Sequence, residues 1–206
     1  MDAGECYETY GQPELKVTRK AIFETALPNL CSKQRFMIQL IKENLWKQFG
    51  ASIDMVHNAI AMWPDEQWET KKRFFYIAYH TLVFLEYYLT NPPPKDFIAE
   101  LPFTESDAVV EDAVDDVLPD KIYTKVELLN YLQSSREKCR KAIAGLTDKN
   151  INDQWISPFG DRNYNIFELM LYNMRHVQHH AAQLNMMLRK EINEAPKWVP
   201  RAKESL

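Results

Sequence analysis

Apolar side chains recur at steps of three and four through the first third of the chain. Ile38, Ile41, Leu45, Phe49, Ile53, Val56 and Ile60 form one such series, the mark of a helix with a single buried stripe. It predicts a first long helix over residues 32–61, with Ser32 as N-cap and Pro64 ending the segment. Gly50 lies in its middle, where glycine costs about 1 kcal/mol relative to alanine. A second helix is predicted over 69–89, stopped by Asn91-Pro92-Pro93-Pro94. Its run from Phe74 to Leu89 is almost wholly apolar but contains His80 and Glu86. The run is shorter than the roughly 20 residues of a membrane span, so a helix buried inside a bundle is expected.

Residues 95–121 read as a long connection. It carries Asp107, Glu111, Asp112, Asp115, Asp116 and Asp120 and no basic residue between Lys95 and Lys121. The D-x-D-x-D-G pattern of a calcium loop is missing, so a solvated loop with a short helix is the expectation. A third helix starts at Thr124, where Thr124-x-x-Glu127 forms a capping box. Leu128, Leu129, Leu132, Cys139, Ile143 and Leu146 follow its inner face, which makes Cys139 a buried structural thiol. Residues 147–163 are turn-rich, with Pro158-Phe159-Gly160-Asp161 the clearest turn. A fourth helix opens at Asn165-x-x-Glu168 and runs to about Lys190. No segment alternates as a strand would. The expected fold is all-α, a four-helix bundle with one long crossover between helices 2 and 3. Its organisation is an N-terminal extension over 1–30, the bundle over 31–192 and a C-terminal tail over 193–206.

Composition removes several function classes. The 25 basic and 29 acidic residues leave a net charge of -4, without the basic excess of a nucleic-acid binder. Only 5 glycines occur, with no phosphate-cradling Gly-rich motif. Cys6, Cys31 and Cys139 are three and far apart, so reduced thiols in a cytoplasmic protein are expected rather than a disulfide framework. The first five residues lack the pattern of a secretion signal.

The candidate chemistry lies in the histidines. Three of the five sit in His176-Val177-Gln178-His179-His180 on the fourth helix. Positions 176 and 180 differ by about 40° in direction and about 6 Å in height, so both imidazoles can reach one ion. On a helical wheel His180 falls within the apolar arc of Leu169, Leu184 and Met187, and His176 borders it. His179 falls on the flank, better placed as a neighbour of a site than as a ligand. His80 sits mid-way along the most apolar helix, where its ring nitrogens need a partner. A metal shared with His176 and His180 would serve, and three neutral imidazoles with one vacant position make a catalytic zinc site; nickel or iron also accepts imidazole. The alternative is a core histidine bonded to Tyr76, Tyr79 or Tyr172. Ferritin-like di-iron chemistry would need Glu-x-x-His on two helices. The sequence offers only Asp54-x-x-His57, and His57 reads as a partly buried first-helix residue.

Met62-Trp63-Pro64-Asp65-Glu66-Gln67-Trp68, the second-helix histidine and Arg175-His176-Val177-Gln178-His179-His180-Ala181-Ala182-Gln183-Leu184 together resemble the DinB/YfiT-like superfamily over roughly residues 33–192. Ala181-Ala182 stand where that family has Arg-Gly, while Gln183 is kept. The resemblance implies a four-helix bundle binding one divalent ion, zinc or nickel, through His80, His176 and His180. It also implies a homodimer and, among characterised relatives, S-transferases and isomerases using low-molecular-weight thiols. The expected function is therefore a metal-dependent thiol S-transferase acting on small electrophiles. Hydrolysis at the same site and a non-catalytic, metal-stabilised dimeric bundle are the alternatives. His179, Tyr172 and Glu86 are the candidates for catalytic proton transfer. Trp63, Trp68 and Trp155 are expected at the bundle mouth, where they would hold an apolar substrate. The expected partner is a small molecule, not nucleic acid or membrane.

Overall fold

The computed structural model describes residues 19–105, 111–114 and 117–206, with side chains from residue 35 onward except Glu105. The chain divides into units of residues 1–36 and 37–206. In the first, the described backbone is the opening part of helix α1, Arg19–Met62. The helix thus passes through Ser32 instead of starting there, and residues 19–30, expected as an extension, are helical. Serine costs a helix interior little, so a Ser before an apolar period permits a start without imposing one. Residues 1–18, with Cys6, lie outside the described residues, as does the side chain of Cys31.

In the second unit α1 continues and is followed by α2, Lys72–Tyr88; α3, Lys125–Ala144; and α4, Ile166–Ile192. The α1 stripe is buried from Leu45 on, through Phe49, Ile53, Val56 and Ile60. Phe74, Phe75, Leu82 and Leu85 of α2 meet Leu128, Tyr131 and Leu132 of α3 and Leu169, Val177, Leu184 and Leu188 of α4 in one core. Cys139 is wholly buried within it, and burial pushes its thiol pKa up. Among the described residues no helix is long and apolar enough to cross a membrane.

Two caps fall where the sequence places them. Thr124 Oγ1 accepts from the Glu127 amide (3.2 Å) and Glu127 Oε2 from the Thr124 amide (2.7 Å), closing the capping box of α3. Asn165 Oδ1 accepts from the Glu168 amide (2.9 Å) at the start of α4.

Two short antiparallel strand pairs correct the strand-free expectation. β1, Phe103–Glu105, pairs with β2, Val117–Pro119, inside the α2–α3 crossover. β3, Gln154–Ile156, pairs with β4, Asn163–Asn165, before α4. Each strand is three residues long, too short to display the period of two that marks a strand in sequence. The β3–β4 connection turns at Gly160, whose φ of 73° suits glycine.

Gly50 also differs from its expected role. A Cβ there would lie 2.7 Å from Ala202 Cβ and 3.3 Å from the Trp46 ring. The missing side chain lets residues 199–204 lie against α1. There the Ala202 amide donates to the Lys47 carbonyl (2.9 Å) and Trp46 Nε1 to the Glu204 carbonyl (2.8 Å). Arg136 of α3 joins the same place, donating to Asp54 Oδ1 of α1 (2.8 Å) and Glu204 Oε2 (2.7 Å).

Candidate metal centre

α2 and α4 pack along much of their length, and Asn173 sets their register. Its buried side-chain amide donates to the Leu85 carbonyl (3.0 Å). From that point His176 and His180 follow at one-turn steps up α4, while His80 lies one turn and a residue back along α2. The two helices therefore bring residues far apart in sequence to one level of the bundle.

The three imidazoles meet through the same atom. His80 Nε2 lies 3.2 Å from His176 Nε2, which lies 3.1 Å from His180 Nε2. The three ligand atoms all fall within 4.8 Å of one another, a group that could hold a metal ion. Two nitrogens about 2.0–2.1 Å from a common ion stand about 3.0 Å apart at a right angle and about 3.4 Å apart at the tetrahedral angle. The observed spacings fall in that interval.

Protonation fits as well. Burial is the main cause that holds the pKa of His80 and of His176 down to about 3, with the neighbouring imidazoles adding to it. Burial lowers His180 too, against the opposing pull of Gln183. All three rings are neutral near pH 7. His180 Nδ1–H donates to Gln183 Oε1 (2.7 Å), an assignment from the hydrogen-bond network that leaves Nε2 with a bare lone pair. A single ring hydrogen can satisfy only one of the two Nε2–Nε2 contacts, whereas a cation could take the lone pairs of all three nitrogens.

The remaining candidates are distributed unevenly. His179 is exposed, its ring centroid 5.1 Å from that of His180. Tyr172, half-buried one turn before His176, packs against Tyr88 with centroids 5.1 Å apart; Tyr88 in turn packs edge-on to His176 at 6.3 Å. Glu86 faces α3: it accepts from Tyr131 OH (2.7 Å) and lies 3.4 Å from Lys138 Nζ, whereas His80 faces α4. His57 is exposed rather than partly buried, because it stands just outside the arc of Ile53, Val56 and Ile60. Asp54, its nearest acidic neighbour in sequence, is engaged by Arg136.

Trp63, Trp68 and Trp155 are buried, although Trp63 also lines the open cleft shared by Arg73 and Ile77. Trp63 stacks on Phe74 at 4.0 Å, while Trp68 and Trp155 donate to the carbonyls of Tyr123 and Thr90. Their size draws them into the core, where the Trp68 and Trp155 indoles each find one carbonyl.

Three residues near the cluster escaped the sequence reading. Gln183 was visible only as part of a motif, yet it is one turn on from His180 and fixes its tautomer. Phe84, one turn on from His80, packs its ring 4.6 Å from that imidazole and 5.8 Å from His176; the i, i+4 step was the available signal. Arg73 donates to the carbonyls of Asp112 and Ala113, and its charge helps lower His80 and His180. Gln183, Arg73 and Ile77 line an open cleft of about 780 Å³, which adjoins the cluster through the Gln183–His180 contact.

A family model described as the DinB superfamily matches residues 77–184, a span that contains all three converging histidines and Gln183. No curated protein and no solved structure matches the chain.

Proposed function

The chain belongs to the DinB superfamily, and from that membership and its converging imidazoles we propose a divalent-metal protein that transfers small thiols to electrophiles. His80, His176 and His180 hold the ion, zinc or nickel. The observation that carries this reading is the meeting of three neutral imidazoles, His80 and His180 buried and His176 half-buried, with the His176 Nε2 3.1–3.2 Å from the other two. When bound, such an ion favours the thiolate of an incoming low-molecular-weight thiol at neutral pH.

The chain's own residues support that chemistry in separate ways. Three neutral ligands bring no negative charge of their own to the centre. Gln183 holds the His180 ring in the tautomer that presents Nε2. The burial of His80 and His180 limits competing water. The cleft at Gln183 and Ile77 offers a route for a small molecule. The acceptor carbon would be that of a halide, an epoxide or an activated alkene, each open to attack by sulfur. His179 borders the cluster and Tyr172 reaches it through Tyr88, and these are the groups to test for proton transfer.

Elemental analysis of the purified chain beside a His176→Ala/His180→Ala variant tests the site: about one ion per chain is expected in the first and a loss in the second. Turnover of an electrophile panel with and without thiol tests the reaction. Activity that needs no thiol would replace transfer by hydrolysis at the same ion. A second reading is favoured by one observation, that the ligands come from two helices. The ion would then also clip α2 to α4, and chelation would lower the melting temperature while no substrate turned over.

A further inference from the structure

Phe84 has two neighbourhoods. Its ring packs on His80 and His176, and it also lines a separate cavity of about 270 Å³ formed with the α2–α3 crossover and the β3–β4 turn. Tyr87, Phe97 and Phe103 share that lining. Tyr87 meets Phe97 edge-on at 5.2 Å, and Phe97 lies 6.3 Å from Phe103. Aromatic walls of this kind suit a flat, apolar body.

The mouth is polar and unbalanced. Lys95 and Arg162 line it, against the single carboxylate of Asp161. Arg162 is anchored by one nitrogen, which donates to the buried Tyr88 hydroxyl. Its side chain is still 41% exposed, so other donors of the fork remain open. Lys95 is exposed and has no hydrogen-bond or ion-pair partner among the described residues. Asp161 is engaged by the Ser157 hydroxyl and stands 3.6 Å from Arg162 Nε. A guanidinium fork beside an ammonium at the lip of an aromatic cavity matches a carboxylate on a ring.

We propose that this cavity binds an aromatic carboxylic acid, its ring among Phe84, Tyr87, Phe97 and Phe103 and its carboxylate on Arg162 and Lys95. The bound ring would lie against Phe84, whose other neighbours are the His80 and His176 rings. A role as acceptor substrate would need an acid that also carries a halide, an epoxide or an activated alkene and rests on the metal-dependent reading above, but binding of the acid does not.

Calorimetry on the metal-free full chain separates the two. The probes are 2-naphthoate, the uncharged 2-naphthylmethanol and 2-naphthylmethylammonium. Saturable binding of naphthoate about tenfold tighter than the alcohol is expected, the scale of one charge-assisted hydrogen bond, with the ammonium weakest. Lys95→Met should weaken naphthoate about two- to fivefold, the scale of an exposed ion pair, and leave the alcohol unchanged. Arg162→Met should remove most of the preference. Lys190→Met, in the other cleft, should change nothing. Because Arg162→Met also breaks the bond to Tyr88, Lys95→Met stands as the independent variant. Equal affinity for acid and alcohol, or a preference that survives both substitutions, would overturn the proposal. Since no ion takes part, that failure would leave the metal reading intact, and loss of metal binding would leave this site intact.

Discussion

Replacing Gly50 by alanine puts two opposing effects on one atom. Alanine favours the helix interior by up to about 1 kcal/mol over glycine. The new Cβ, however, would stand 2.7 Å from Ala202 Cβ, where ordinary carbon contacts begin at about 3.5 Å. Roughly 1 Å must open between α1 and the tail. The Trp46 ring, 3.3 Å from the same point, is fully buried and has little room to yield. Opening by that much loosens the Ala202–Lys47 bond and strains the two bonds to Glu204, each worth about 1 kcal/mol. Overpacking of this kind costs about 1–3 kcal/mol, so a net loss of about 1–2 kcal/mol is expected. Urea unfolding at pH 7 measures it, and hydrogen exchange at the Ala202 amide reports whether the tail has lifted. Gly50→Ala combined with Ala202→Gly removes the 2.7 Å contact and should recover most of the lost stability. A single variant at least as stable as wild type, with the Ala202 amide still protected, would refute the argument.

Histidine protonation gives a pH dependence whose sign is fixed. His80 and His176 titrate near 3 in the folded chain and near 6.5 when unfolded. Between those values the unfolded chain binds more protons, so the metal-free protein is fully stable above about pH 6.5 and weakens as pH falls toward 3. The loss is at most about 1.4 kcal/mol per pH unit for each histidine, and less for half-buried His176. Urea midpoints of chelated protein at pH 7.5 and 5.5 that coincide would contradict it. Bound metal should leave as pH falls through about 6, and retention at pH 4 would argue against imidazole ligation. Gln183→Leu should weaken metal binding about 10- to 100-fold while the fold persists, read by competition with a chromophoric chelator. Thr124→Ala removes half of the capping box and should cost about 1 kcal/mol in urea unfolding.

What the sequence revealed and what it hid follow from the range of the interactions involved. The capping signals at Thr124 and Asn165 are local, and the structure realises both. The inward direction of His176 and His180 needs only the pitch of α4, so it too was readable. The short strands were not, because three residues carry no period and β1 pairs with β2 across the crossover. The role of Gly50 depended on a residue 152 positions away, which lies beyond any local pattern. Glu86 looked like a lone carboxylate in an apolar helix, and only the packing of α2 on α3 shows that Tyr131 and Lys138 engage it. Trp68 and Trp155 misled for a similar reason: size alone does not tell a rim from a core.

His80 precedes His176 by 96 residues. A nascent chain emerging from the ribosome therefore exposes one imidazole of the cluster long before the other two. Until α4 docks beside Asn173's anchor on α2, an ion meets a single imidazole or an isolated pair, both poor chelates. Metal acquisition would thus be reserved for finished molecules, and the holo form would act as a receipt that folding is complete.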